Sequence, residues 1–392
     1  MTGHAHLGAR VRWRGWRGQL TRTLGWVVTS VVVSQALVLA PVHADGTTTQ
    51  AEAGFEYDSN VTLATAVAEP VAALVLRGAG VAAGQVGHGR HRFHFDLVGR
   101  LRAALDPSLA SEVVGLGSID LRWLYQPGDA DKNNLGVGVH TSLSDARGLA
   151  GVLGARTFRN AIVEGLLSLR HDAHRFIVAV GGRDFRYRPN PLQSYRGGAA
   201  TTALESRLWQ SADQETSLTL TLTAGYELRR FDAKAQTSLC PVMLLRPACV
   251  HETSVARHDQ VLRAGAELTY VGPFIVGTTY RLLDITSTSF GQSLRRHQLS
   301  VAATRELTAK LFATVGATAQ LDEFSAGAKL VVDPLNPEIA TLADEARSMV
   351  QLRVGYRVGS RWTLEGRVAT WTNLASDVAY HRRTVGVTLV RE

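Results

Sequence analysis

The chain has 392 residues, 45% of them apolar, yet no stretch beyond residue 44 holds the roughly eighteen consecutive apolar residues of a membrane-spanning helix, which disfavours a helical membrane protein. Its formal charge of +8 invites a nucleic-acid partner. Five of those charges are Arg10, Arg12, Arg14, Arg17 and Arg22, leaving +3 over the rest of the chain, and nucleic acid is set aside.

Those arginines open an export signature. They precede a mostly apolar run from Leu24 to Leu39, and Pro41-Val42-His43-Ala44 follows with small residues at the −3 and −1 positions of a cut before Asp45. The expectation is a signal peptide over 1–44 and a folded domain over 45–392; an uncleaved anchor is the alternative. In an exported chain the two cysteines, Cys240 and Cys249, are expected to form a disulfide closing a small loop.

Alternation then sets the fold. In the run from Ser217 to Leu228, Leu218, Leu220, Leu222, Ala224, Tyr226 and Leu228 fall on one face, and Ser217, Thr219, Thr221, Thr223, Gly225 and Glu227 on the other. The period of two persists for the ten or so residues a tilted membrane strand needs. Residues 311–321 repeat it, with Phe312 as the exception. The same reading along the chain predicts strands over 48–57, 69–79, 91–104, 111–125, 133–144, 157–171, 175–187, 198–210, 215–230, 259–271, 274–286, 294–305, 310–322, 347–358, 361–372 and 379–391. The predicted architecture is all-β, a transmembrane antiparallel up-and-down barrel of about sixteen strands, with 14–18 as its range.

Connections support this. Gly272-Pro273, Glu306-Leu307-Thr308-Ala309 and Gly359-Ser360 are short, whereas 231–258, 287–293, 323–346 and 373–378 are longer. Short periplasmic turns alternating with external loops are the barrel asymmetry. Tyr270 and Phe274 flank one short turn, Tyr356 and Trp362 another, as in an aromatic girdle. Residues Asn336 to Met349 have helical character, with Asn336 as cap and Pro337 at the first helical position.

The stretch Ala51-Glu52-Ala53-Gly54-Phe55-Glu56-Tyr57-Asp58-Ser59-Asn60-Val61 resembles the opening strand of a loose set of Gram-negative outer-membrane barrels whose first strand ends in a Tyr-Asp-Ser-Asn-like turn. The barrel part of surface-lipoprotein assembly modifiers shares that style of opening, but this sequence lacks their preceding helical-repeat domain. The resemblance implies an outer-membrane barrel and no particular substrate. At the other end Thr384, Gly386 and Leu389 fit the barrel-assembly signal, while Arg391 stands where an aromatic residue is expected.

If the apolar face meets lipid, the other face lines the lumen. Arg353 and Arg357 then share a wall with Arg361, Glu365, Arg367 and Arg382, and Arg263 and Arg281 sit on earlier strands. Such a positive stripe favours anions; pairing of these arginines with carboxylates of other strands is the alternative. His94 with Asp96, His171-Asp172, His251-Glu252 and His258-Asp259 are juxtapositions without a serine in a catalytic setting. His88, His91 and His94 fall in a basic turn and do not converge on a metal. No catalytic, metal or cofactor residue is assigned. The expected function is porin-like passage of small polar or anionic solutes, with a non-conducting barrel for assembly or export of surface components as the alternative and a hydrolase third. The expected partners are outer-membrane lipids and lipopolysaccharide, the barrel-assembly machinery and the solute; no strand announces an intersubunit face.

Overall fold

The computed structural model describes residues 47–61, 70–106, 108–109, 113–127, 134–148, 157–240, 249–325, 348–372 and 381–391. The expected signal segment 1–44 lies outside the described residues, as does most of the loop expected at 323–346. The helix expected from Asn336 also lies there, except that Ser348 and Met349 open a strand.

Sixteen strands form one closed antiparallel barrel in sequence order. They are β1 (Thr48–Asp58), β2 (Ala73–His88), β3 (His91–Ala104), β4 (Val114–Tyr125), β5 (Asn134–Gly148), β6 (Phe158–His171), β7 (His174–Tyr187) and β8 (Tyr195–Gln210) in the first half. The second half holds β9 (Ser217–Ser238), β10 (Val250–Val271), β11 (Ile275–Ser287), β12 (Leu294–Glu306), β13 (Leu311–Phe324), β14 (Ser348–Arg357), β15 (Trp362–Thr372) and β16 (His381–Arg391). Directly paired residues point to the same side of a sheet, so the register sorts every strand into an inner and an outer face. Val163, Val180, Val315, Val350 and Val387 are exposed on the outer face, and their paired neighbours are largely apolar. A closed sheet leaves no backbone donor or acceptor for lipid to strand, and an apolar exterior suits hydrocarbon. The chain is a membrane-spanning barrel of the outer-membrane kind.

Connections differ between the two ends, although 126–133 on the short-turn side is longer than 288–293 on the other. One end carries the tight turns 89–90, 172–173, 307–310 and 358–361, and the other the longer segments 59–72, 239–249 and 325–347. Gly89 takes a left-handed backbone (φ 56°) that lets His88 and His91 face each other across a two-residue turn. The basic run Gly87 to His94 is therefore a hairpin tip rather than one extended segment. Exposed Phe93, Phe176, Trp209, Tyr356 and Trp362 ring the short-turn end, and the Tyr270 and Phe274 rings lie 5.2 Å apart beside turn 272–274. Arg391, in the place of the expected aromatic, lies over the Trp362 ring at 5.7 Å, so the neighbouring strand supplies the aromatic surface.

Two expectations need correction. The strand expected at 69–79 runs instead over 73–88; its Gly- and Ala-rich second half lacks the large apolar residues that mark alternation, yet it pairs throughout with β3. The long loop expected at 231–258 is mostly strand. β9 and β10 run 22 residues each, and only 239–249 connects them. His251, Glu252 and His258 accordingly lie on β10. The disulfide between Cys240 and Cys249 forms as expected and closes the tip. The bracing of this hairpin comes from loop 288–293, where the Gln236 N–H donates to Ser289 Oγ (3.0 Å) and the Phe290 N–H to the Gln236 carbonyl (2.9 Å).

The barrel closes where β16 meets β1 in an unbroken register from Ala51 opposite Arg391 to Asp58 opposite Thr384. Beyond Asp58 the ladder continues as one more backbone bond and side-chain stitching. Ser59 N–H donates to the Arg383 carbonyl (3.0 Å), Arg383 N–H to Ser59 Oγ (2.8 Å), and Asn60 Nδ2 to the His381 carbonyl (3.3 Å). Asp58 itself is fully buried and accepts from Arg102 (2.5 Å), Arg382 (2.8 Å) and the Asn60 N–H (3.0 Å). The Tyr-Asp-Ser-Asn segment thus ties the first strand to the last. Removing one partner of a buried ion pair leaves an uncompensated charge. Asp58→Ala is expected to lower stability by about 3–5 kcal/mol, read as a lower urea midpoint of the refolded barrel in detergent; an unchanged midpoint would show that the backbone ladder alone holds the seam.

Candidate functional site

The lumen is the surface no lipid covers, and it divides into two zones. Toward the long-loop end, inward side chains of β4 to β9 are packed. Val114, Leu116, Ala146, Phe158, Phe185, Tyr195 and Phe231 form one buried cluster. Its rings run from strand to strand at 5.8, 5.1 and 5.2 Å from Phe158 through Phe185 and Tyr195 to Phe231. They fall in line because Phe185, Tyr195 and Phe231 are successive cross-strand partners, while Phe158, paired with Tyr187, is the diagonal neighbour of Phe185. Arg229 lies over Tyr195 at 4.8 Å and Arg257 over Phe231 at 4.0 Å, extending the stack with guanidinium planes.

Those arginines belong to buried ion networks. Glu227, wholly buried, receives Arg183 (3.3 Å), Arg229 (3.1 Å) and Arg263 (2.9 Å) from β7, β9 and β10. Asp259 receives Arg257 (2.6 Å) and the Ser287 hydroxyl (2.5 Å). Arg296 grips Asp322 through two 2.8 Å bonds. On the seam side, Arg382 lies over buried Trp371 at 4.7 Å. Together these groups form a packed belt on the lumen wall, the neck.

Toward the short-turn end the inward face opens. Asp96, Glu205, Glu267 and Arg281 are exposed on separate strands. His140 bridges Asp120 (2.7 Å) and Glu164 (2.9 Å) across β4, β5 and β6. Beside it a recess of about 360 Å³ is lined by His94, Asp96, Asp120, Arg122, Gln85 and Thr48, among others. Among the described residues no three His, Cys, Asp or Glu side chains are placed to hold a metal ion. His94 and Asp96 do share the lumen face of β3, while His171 and Asp172 are exposed at a turn, 3.7 Å apart.

The arginines expected to line a pore separate on this map. Arg281 is exposed in the lumen opposite Gly265 and Gln298. Arg353 faces Glu365 at 3.6 Å, and Arg357 bonds Glu306 at 2.6 Å. Arg367 also faces the lumen, opposite Arg353 and Gly386. Arg263, half-buried, and Arg382, buried, are held in ion pairs with Glu227 and Asp58, and Arg361 lies in turn 358–361, before β15 begins. Carboxylates of neighbouring strands thus neutralise much of the expected positive stripe. Phe312, the one break in alternation on β13, points inward and lies across Gly355, between Arg353 and Arg357 (5.8 and 6.0 Å). Sequence reading missed His140, the Glu227 network and the aromatic stack. Each is spread one residue per strand, and only register brings them together.

No family model matches the chain, and no curated protein does. Among solved structures it is similar to OccK2 (OpdF) of Pseudomonas aeruginosa, at 10% identity and a TM-score of 0.37 over 88% of this chain and 97% of that one. It is also similar to OccAB1 of Acinetobacter baumannii (10% identity, TM-score 0.43, 90% and 99% covered). The outer-membrane protein OmpT of Vibrio cholerae matches at 10% identity and TM-score 0.39, with 88% and 97% covered. Likenesses this weak decide nothing about a solute, which rests on the lumen itself.

The neck makes a direct prediction. Tyr195→Ala with Phe231→Ala removes two rings of the stack and is expected to raise single-channel conductance in a planar bilayer by about twofold or more, since an eight-strand barrel fills with side chains but a sixteen-strand one leaves an aqueous path once they are gone. Unchanged conductance in a folded variant would place the constriction elsewhere.

Proposed function

We propose that the protein is a porin-like outer-membrane channel through which small polar or anionic solutes diffuse. The observation carrying this reading is the exposed, charged inner face of the short-turn half, where Asp96, Glu205, Glu267 and Arg281 are open to water or solute. A sixteen-strand circumference is wide enough for an aqueous path. Unpaired charge inside favours anions. Among the described residues Arg92, Arg100, Arg122, Arg170, Arg175 and Arg281 face inward without an ion-pair partner, against Glu52, Asp96, Glu205 and Glu267. A focused field of one sign in a low-dielectric tube raises the local concentration of counter-ions. No catalytic step is part of this reading. Its partners are the outer-membrane lipids and lipopolysaccharide around the barrel, the machinery that inserts barrels, and the solute.

The packed neck favours a second reading, a barrel that does not conduct and assists assembly or export of surface components. Bilayer recordings separate the two. Purified protein in a potassium chloride gradient is expected to conduct with a reversal potential of the anion-selective sign, and Arg281→Glu is expected to move that potential toward cations. A wild-type cation preference would overturn the anion assignment, and absence of conductance would favour the second reading.

A further inference from the structure

The outer face is most densely charged on one side of the long-loop rim. At the long-loop ends of β5 to β9 the outward positions hold Arg147, Arg159, Arg186, Arg196 and Arg230, and Arg188 follows β7 directly. Three outward carboxylates accompany them. Asp145 bonds Arg147 (2.7 Å) and Arg188 (3.0 Å); Asp184 bonds Arg186 (2.9 Å) and lies 3.5 Å from Arg196; Asp232 bonds Arg186 (2.9 Å). Arg159 stands beside Asp145 in register, but that carboxylate is taken by the other two arginines. Arg159 and Arg230 are exposed and make no ion pair with a described residue. Elsewhere on the same rim outward charge is sparser: Asp284 with Arg295 (3.3 Å), Glu323 and Arg383 stand among apolar residues such as Phe55, Tyr57, Leu74 and Val350.

Two features of this belt are costly without a ligand. Arg159 faces Arg186 directly across β6 and β7, and Arg196 faces Arg230 across β8 and β9. Like charges directly opposite on one sheet face are destabilising. The belt also stands just beyond the apolar band, since exposed Val163, Val180 and Leu228 lie a few residues deeper on the same strands. Its guanidinium groups therefore sit at headgroup depth, where anionic lipid is held by basic side chains. Adjacent strands are about 4.8 Å apart, so facing guanidinium groups can share one phosphate through several charge-assisted bonds.

We propose that this belt binds the phosphate groups of a phosphorylated glycolipid headgroup in the outer leaflet. The site is independent of conduction and rests only on the barrel's place in an outer membrane. The two like-charged pairs become favourable once each shares an anion, and the paired aspartates hold the remaining arginines in place.

The test is native mass spectrometry of lipid retained by the full-length barrel from nanodiscs of phosphatidylcholine containing bis-phosphorylated lipid A, with dephosphorylated lipid A and excess inorganic phosphate as further arms. Wild-type protein is expected to retain the phosphorylated lipid and to release the dephosphorylated one. Arg159→Gln with Arg230→Gln is expected to lower retention about tenfold, and Arg159→Lys with Arg230→Lys to restore part of it. Equal retention of both lipids, or full retention by the Gln variant, would overturn the site, as would complete displacement by inorganic phosphate, which marks a free-anion site. The wild-type comparison decides even if the Gln variant does not fold. Bilayer conductance, whose residues face inward, is expected to stay at the wild-type value, so failure here is distinct from failure of the channel reading.

Discussion

Everything in this molecule depends on the sheet having no edge. In hydrocarbon an unpaired backbone group has no water to turn to, so the last strand must find the first. That meeting is secured twice, by the ladder from Ala51 to Asp58 and by the buried carboxylate of Asp58 between Arg102 of β3 and Arg382 of β16. Arg102 and Arg382 reach Asp58 from opposite sides, so the acid is fully compensated only when the ring is complete. Buried ion pairs often contribute little net stability, but losing one partner is expensive. Asp58 therefore discriminates against an open or misregistered sheet more than it strengthens the closed one.

With the ring closed, side-chain volume decides what the lumen becomes. Inward positions alternate along every strand, yet those near the long-loop end of β6 to β9 are aromatic, while those near the short-turn end of β8 and β9 are Thr201, Ala203, Thr219, Thr221 and Thr223. Large rings meeting partner to partner fill the first zone; small hydroxyl-bearing residues leave the second open. Glu227 and its three arginines mark the boundary. Bulk and open charged surface thus lie at different depths and come from different residue types.

Much of this was legible in the sequence. Long alternation placed thirteen of the strands close to their final positions, because one face must be apolar for lipid and the other is free to be polar. β2 was shifted, since Gly78, Gly80, Ala82 and Gly84 face outward and carry too little apolar surface to signal a face. Alternation also failed to extend β9 and β10 past Arg230, because strands that leave the membrane no longer need an apolar side. The cysteine pair was readable from compartment and spacing. The lumen was not. Knowing that Arg353, Arg263 and Arg382 point inward says nothing of Glu365, Glu227 or Asp58 until strand order and register are known, and those partners lie on other strands.

The β9–β10 hairpin has a consequence for the chain's history. Its outer part, beyond Phe231 and Asp259, has left the neighbouring strands behind and is a two-stranded ribbon, a form that is marginal in water by itself. The covalent clasp at its tip joins residues only nine apart in sequence, and such a bond is kept open by cytosolic reductants and made in oxidising compartments. The ribbon is consequently pliant while the chain is being made and threaded outward, and becomes a fixed mast only after arrival.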